Sequence, residues 1–328
     1  MMLELLLLGV GLALILKGGD LFVSSSVRIA ELLHMPRVVI GSTLVSLATT
    51  TPELTVSILS GLKAESGLAV GNAVGSCICN LGLILGVMAA LKHVEVNARA
   101  LWTAFAAMLG SGVLLFVLTF DLTLSRGQGV LLLALGVGYF VWDFWRHQRP
   151  VSPAAQAEAT ALETEFVARH SWLKGGWGSA LQFLAGAVLV VGGSKLLVDS
   201  AVRVARALGV PSLIIGLTIV AVGTSLPELI TAVTSSRRNV SDLAVGNVLG
   251  ANIANLTLVI GSAASIHEVS MSRATQLLNF PAMLAVMLLS FWMISTDRRV
   301  TRREGTILLT FYAAYLLTLV GATLAGLN

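Results

Sequence analysis

The feature that most constrains this chain is a charged residue placed twice in the middle of apolar sequence. Ser46-Leu47-Ala48-Thr49-Thr50-Thr51-Pro52-Glu53 sets a carboxylate, a proline and a run of hydroxyls inside a long hydrophobic segment. Ala221-Val222-Gly223-Thr224-Ser225-Leu226-Pro227-Glu228 does the same 175 positions later. Several neighbouring apolar runs reach the roughly 20 residues that a helix needs to cross a bilayer. An ionisable residue at that depth is costly and marks a functional site. With 56% hydrophobic and 12% charged residues over 328 positions, the chain is read as an all-α polytopic membrane protein whose main partner is the lipid bilayer.

Hydropathy divides the chain into ten predicted transmembrane helices. Five lie at about Leu3–Leu33, Arg37–Ser60, Leu68–Leu91, Leu101–Thr119 and Gly129–Trp145. Five more lie at about Trp177–Val198, Ser212–Ser236, Leu243–Ser265, Gln276–Ser295 and Gly305–Ala325. Between them, residues 147–174 turn polar, with a partly helical stretch expected at Ala154–Ala168. The expected division is a first repeat over 1–146, a linker over 147–174 and a second repeat over 175–328. The first run, Leu3–Leu16, lacks a basic leading region and a small-residue cleavage site, so it is predicted to be a mature helix.

The two halves repeat each other. Gly41–Gly86 and Gly216–Gly261 align without a gap and share 20 identities over 46 positions. Thr-x-x-Pro-Glu-Leu and Leu-Ala-Val-Gly-Asn stay in register, which similarity of apolar composition alone would not preserve. Five spans per repeat is an odd number, so the second copy must enter the membrane from the opposite side. Inverted-topology repeats with a midplane site at their interface follow.

The net charge of +4 does not suggest nucleic acid, because the basic residues sit in short loops between apolar segments. With Lys17 and Lys195 set aside as embedded, 14 basic residues fall on the face of the central linker and five on the other. The positive-inside rule puts the linker in the cytoplasm and both termini outside. The expected location is the cell (inner) membrane, spanned many times.

Proline lacks an N–H and clashes with the carbonyl four residues back, so Pro52 and Pro227 are expected to release the carbonyls of Ala48 and Gly223. Thr49 and Thr50 stand four and three residues before Glu53, as Thr224 and Ser225 do before Glu228, so helical spacing places each pair on its own glutamate's face. The following helix adds a polar strip: Asn72, Ser76 and Asn80 in one copy, Asn247, Ala251 and Asn255 in the other. The result is an all-oxygen environment with two carboxylates. Such a set suits a hard cation, and calcium's flexible shell of 6–8 oxygens better than magnesium's tight octahedron. None of the five histidines lies in either motif, which disfavours soft transition metals.

Other residues have plainer readings. Cys77 and Cys79 point to different helix faces and read as packing residues. Gly71/Gly75, Gly82/Gly86 and Gly246/Gly250 are predicted close-packing surfaces. Asn72 and Asn247 fit either interhelical hydrogen bonding or ion ligation. Lys17, Asp20, Lys195 and Asp199 fit snorkelling or pairing near a membrane surface. For Glu53 and Glu228 the alternative to an ion site is a buried polar latch.

With these residues in place, the chain resembles the calcium/cation antiporter superfamily, close to its prokaryotic sodium/calcium exchanger branch. Thr224-Ser225-Leu226-Pro227-Glu228 matches the family motif intact, and Thr49-Thr50-Thr51-Pro52-Glu53 departs from it modestly. The resemblance implies an antiporter, not an enzyme, with Ca2+ and Na+ as transported ions and no cofactor. It implies Glu53 and Glu228 as central calcium ligands, assisted by Thr49 and Thr224. It implies sodium sites at Ser46, Thr50, Ser76, the carbonyl of Ala221, and Ser225. In familiar exchangers an aspartate stands at the position of Asn255 and a serine at that of Ala251, so this chain offers one charge and one hydroxyl fewer. Two rivals remain: a proton-coupled exchanger in which Glu53 or Glu228 takes up H+ as calcium leaves, and a passive cation channel.

Overall fold

The computed structural model describes residues 2–63, 66–95, 98–147, 176–209, 221–297 and 299–325. The expected linker, with its partial helix at Ala154–Ala168, and residues 210–220 of the seventh apolar segment lie outside the described residues.

The chain opens with one uninterrupted helix, α1 (Met2–Leu32). The motif segment that follows is broken into pieces. A short α2 (Arg37–Ile40) runs into a π-helical turn, Gly41–Val45, then α3 (Ser46–Thr49). At Thr50 the backbone leaves helical geometry (φ −78, ψ 1), and α4 (Thr51–Leu62) begins. Pro52 causes the break and also starts the next helix, since its missing N–H would go unpaired in a first turn anyway.

Next come α5 (Ser66–Cys79), a π turn at Asn80–Ile84, and α6 (Leu85–Leu91). A two-residue strand β1 (Val94–Glu95) leads to α7 (Ala98–Leu118), β2 (Thr123–Leu124) and α8 (Arg126–Arg146). After the linker, α9 (Gly176–Ala207) is a second long helix. The described part of the second motif has α10 (Ala221–Gly223) and α11 (Leu226–Arg237), separated at Ser225 (φ −87, ψ 9). Then α12 (Ser241–Ala254), a π turn at Asn255–Val259 and α13 (Ile260–Ile266) follow. The chain continues through β3 (Val269–Ser270), a π turn at Thr275–Asn279, α14 (Phe280–Asp297), β4 (Arg299–Val300) and α15 (Arg302–Leu324).

Among the described residues, eight helical stretches are long and apolar enough to cross a membrane, against ten expected from hydropathy. The two motif segments are the ones not counted, and residues 210–220 of the second lie outside the described residues. The proline-centred break divides the first, and α11 has only 12 residues. Continuous hydropathy therefore does not mean a continuous helix here.

Equivalent parts of the two halves recur throughout. β1 pairs with β4 and β2 with β3, both antiparallel, so each half lends one strand to each two-stranded ribbon. Ser125 and Gln128 form a capping box at the start of α8, and Thr301 and Glu304 form another at the start of α15. Each box satisfies backbone donors that the bilayer could not. The π turns at Asn80 and Asn255 also correspond.

Burial separates the centre from the rim. In the stretches Ser241–Ile266 and Ala69–Leu91, 94% and 72% of the most apolar window is buried, against 17–39% in the other six. The helices carrying the predicted polar strips therefore form the core, and the other six long stretches lie at the rim. At the rim, α1 and α9 pack antiparallel along their length. Gly11 and Gly18 lie against α9, and Gly186 and Gly193 against α1. A side chain at Gly186 would place its Cβ 2.6 Å from the Phe22 nitrogen, so this contact is backbone to backbone. Ion pairs secure the rim near the ends: Glu4 with Arg203 at 2.7 Å and Asp20 with Arg238 at 2.7 Å. Lys195 sits 3.5 Å from Asp199, so Asp20, Lys195 and Asp199 pair as their positions implied.

The glycine expectations divide. Gly246 and Gly250 meet the backbone of the Val38–Ser46 region, Gly82 packs on Tyr312, and Gly86 on Leu309. At Gly71 and Gly75, by contrast, nothing among the described residues would touch an added Cβ. At the 175-position offset, the stretch equivalent to Val38–Ser46 is 213–221, of which 213–220 lie outside the described residues.

Candidate cation site at the repeat interface

The site forms where the broken first-copy helix crosses α12. Gly250 makes the approach possible: a Cβ there would lie 2.5 Å from the Ser46 hydroxyl and 2.7 Å from the Ser42 carbonyl carbon. This proximity, together with the turn at Thr50, aims first-copy hydroxyls into the second copy.

Glu53 and Glu228 are both buried, at 1% exposure each. Thr50 Oγ1 reaches Glu228 Oε1 at 3.4 Å, and Thr49 Oγ1 donates to Asn247 Oδ1 at 3.1 Å. Thr49 also approaches Glu228. Ser76 Oγ lies 3.4 Å from Glu53 Oε1, and Ser225 Oγ 3.4 Å from Ser76 Oγ, with Ser225 also facing Glu53. This corrects the expectation from helical spacing. Thr49 and Thr50 do not serve Glu53 on their own face. The break at Thr50 turns them to Glu228, and Ser225 is turned to Glu53. Glu228 is thus met by hydroxyls of the first copy, and Glu53 by Ser76 of its own copy and Ser225 of the other.

The remaining predicted residues take distinct places. Asn80 and Asn255 are buried, at 1% and 0% exposure. Ser46 is buried, and its hydroxyl donates back along its own helix to the Ser42 carbonyl at 2.8 Å. Thr224 is half-buried and joins no hydrogen bond in the cluster among the described residues. Ala221 begins α10. Asn72 donates to the Glu53 carbonyl at 3.2 Å and to Ser57 Oγ at 3.3 Å, so of its two readings the structure places it in the interhelical hydrogen-bonding one.

What the cluster lacks is positive charge. Among the described residues neither glutamate has a basic partner. Glu53 Oε2, Glu228 Oε2, Asn80 Oδ1 and Asn255 Oδ1 are buried acceptors without a donor. Native proteins rarely leave such atoms unpaired, because burial without a partner costs about 1–3 kcal/mol each and more when charged. Four unpaired buried oxygen acceptors, two of them from carboxylates, match the ligand preference of a hard cation. Among the described residues, no three or more His, Cys, Asp or Glu side chains are grouped so as to hold a metal ion.

Sequence reasoning missed Asn252 and Met108. Asn252 is buried and accepts from Asn80 Nδ2 at 2.9 Å, while its own Nδ2 lies 3.3 Å from Met108 Sδ. The signal was present as a mismatch, since the equivalent first-copy position is Cys77.

Comparison with known proteins gives a consistent result. The family described as sodium/calcium exchanger protein matches residues 3–145 and 178–321. Sodium/calcium exchanger MaX1 of Methanosarcina acetivorans is 33% identical, covering 96% of this chain and 97% of its own. Inner membrane protein YrbG of Escherichia coli is 35% identical, covering 81% of each. The solved structure of the sodium-calcium exchanger NCX_Mj, soaked without Na+ and Ca2+, superposes with a TM-score of 0.81 at 28% identity, covering 97% of this chain and 99% of that one.

Proposed function

The chain belongs to the sodium/calcium exchanger family of ion antiporters, and from that premise we propose that it exchanges Ca2+ for Na+ across the cell membrane by alternating access, with Glu53 and Glu228 as the central ligands. The observation that carries this reading is the pair of buried carboxylates, each with an unpaired oxygen and with hydroxyls beside it, and, among the described residues, no basic side chain paired with either. Calcium is held by the two glutamates with oxygens of Thr49 and Thr224, and the amide oxygens of Asn80 and Asn255 complete the polar strip. Sodium occupies positions lined by Ser46, Thr50, Ser76, the Ala221 carbonyl and Ser225.

Competition for the same carboxylates couples the two ions. An empty site carrying uncompensated negative charge is costly to pass through a closed, low-dielectric state, so the protein switches only when loaded. The architecture suited to this is ten membrane segments in two inverted five-helix repeats, 1–146 and 175–328, joined by a cytoplasmic linker, with both termini outside. The reciprocal strand pairs and the matched capping boxes support that reading. By resemblance to the family, the long helices α1 and α9 are the pair that slides over a fixed core; they meet through glycines and through the stacked rings of Phe22 and Phe183, 4.8 Å apart.

Buried carboxylates without a basic partner also favour one other reading, exchange of the cation for protons. Reconstituted vesicles separate the two. With pH clamped, an outward sodium gradient is expected to drive calcium uptake; uptake that follows only an imposed pH gradient sinks the sodium-coupled mechanism.

A further inference from the structure

Asn80 and Asn255 occupy equivalent positions in the two copies, yet their surroundings differ. Asn80 Nδ2 donates to Asn252 Oδ1 at 2.9 Å. Asn255 has no partner for either end of its amide, although it is fully buried. The difference goes with one substitution between the repeats: Asn252 in the second copy stands where the first has Cys77, whose thiol is turned to the Asn252 carbonyl at 3.7 Å and makes no bond to Asn255.

The orientation of the Asn80 amide follows from chemistry alone. A thioether sulfur accepts hydrogen bonds and cannot donate them. Met108 Sδ, buried 3.3 Å from Asn252, must therefore face the NH2 end of that amide. This leaves Asn252 Oδ1 to face Asn80, which in turn must present its own NH2. The Asn80 carbonyl oxygen is then directed away from Asn252 and left without a donor. Asn80 lies one helical turn beyond Ser76, on the face where Ser76 meets Glu53.

Resting on the exchanger reading above, we propose that Asn252 is a positioning residue for the calcium site: anchored by Met108, it holds the Asn80 amide so that its oxygen, and not its NH2, meets the divalent cation. Without Asn252 the amide can rotate, and one of its two orientations sets partial positive charge against the ion. The site is thereby asymmetric, with one oriented amide oxygen from the first copy and one unanchored amide, Asn255, from the second.

A double-mutant cycle tests this in proteoliposomes loaded with sodium, with 45Ca2+ uptake as the readout. Asn252→Leu is expected to raise the KM for calcium about tenfold, the scale of one lost interaction with a charged group, with maximal rate changed less than about twofold. In an Asn80→Ala background the same substitution is expected to change KM less than about twofold, because no amide remains to be oriented. A tenfold rise that persists in the Asn80→Ala background, or no rise in the Asn80 background, overturns the proposal. If Asn252→Leu does not accumulate in the membrane, Met108→Leu, close in volume and lacking only the acceptor sulfur, takes its place under the same criterion. Wild-type vesicles that take up no calcium at all overturn the exchanger reading itself, and this inference with it.

Discussion

Replacing Glu53 by glutamine separates binding from folding. The two side chains are nearly the same size, so packing around the 1%-exposed position is kept while one negative charge is removed. A divalent cation and a carboxylate about 4 Å apart attract by about 8 kcal/mol at an effective dielectric near 20. Desolvation offsets much of that, and breaking one partner of a buried charge pair typically costs about 3–5 kcal/mol. The calcium Kd should rise about a hundredfold to several thousandfold.

The unloaded protein should respond in the opposite sense. Glu53 Oε2 has no donor, and the side chain shares its pocket with Glu228. Glutamine removes that repulsion and adds two donors among acceptors, a gain of about 1 kcal/mol. Thermal unfolding in detergent, with and without calcium, reads both effects. At a calcium concentration about 100 times the wild-type Kd, wild type gains about 2.7 kcal/mol from binding, and the variant no more than about 0.4 kcal/mol. Glu53→Gln should therefore melt higher than wild type without calcium and hardly move when it is added. A variant that melts lower without calcium and keeps the full calcium shift would show that Glu53 serves structure and not the ion.

Three other outcomes follow from the geometry. Gly186→Ala drives a methyl group into the Phe22 backbone and should destabilise the α1–α9 pair by about 1–3 kcal/mol, with slower transport. Gly192→Ala, exposed with nothing within 4 Å, should be neutral or stabilising by up to about 1 kcal/mol in the same unfolding and flux assays. Asn255→Asp places a third carboxylate among the buried acceptors. It should tighten calcium binding in calorimetry and alter the charge moved per calcium in electrogenic flux measurements, and unchanged values in both would remove Asn255 from the site.

Much of this protein was legible in one dimension because its strongest signals are local. Twenty-residue apolar runs, a proline beside a buried acid and a 175-position repeat need no knowledge of what lies across the molecule. They gave the membrane class, Glu53 and Glu228 as a pair, and the polar strips one residue type at a time. Helical spacing failed where a helix stopped being a helix. Thr49 and Thr50 were assigned to Glu53 by a periodicity that Pro52 itself interrupts, and the turn at Thr50 carries them to partners 198 and 178 positions away. The π turns that begin at Asn80 and Asn255 likewise interrupt the 3.6-residue count for the residues that follow them.

Sequence thus determined which groups enter the membrane and that they come in two copies, because solvation cost and proline sterics act on each segment by itself. Tertiary structure alone decided which oxygen meets which. That choice depends on glycine-permitted contact between α12 and the broken helix, and on whether an amide finds a neighbour that fixes its orientation, as Asn80 does in Asn252 and Asn255 does not.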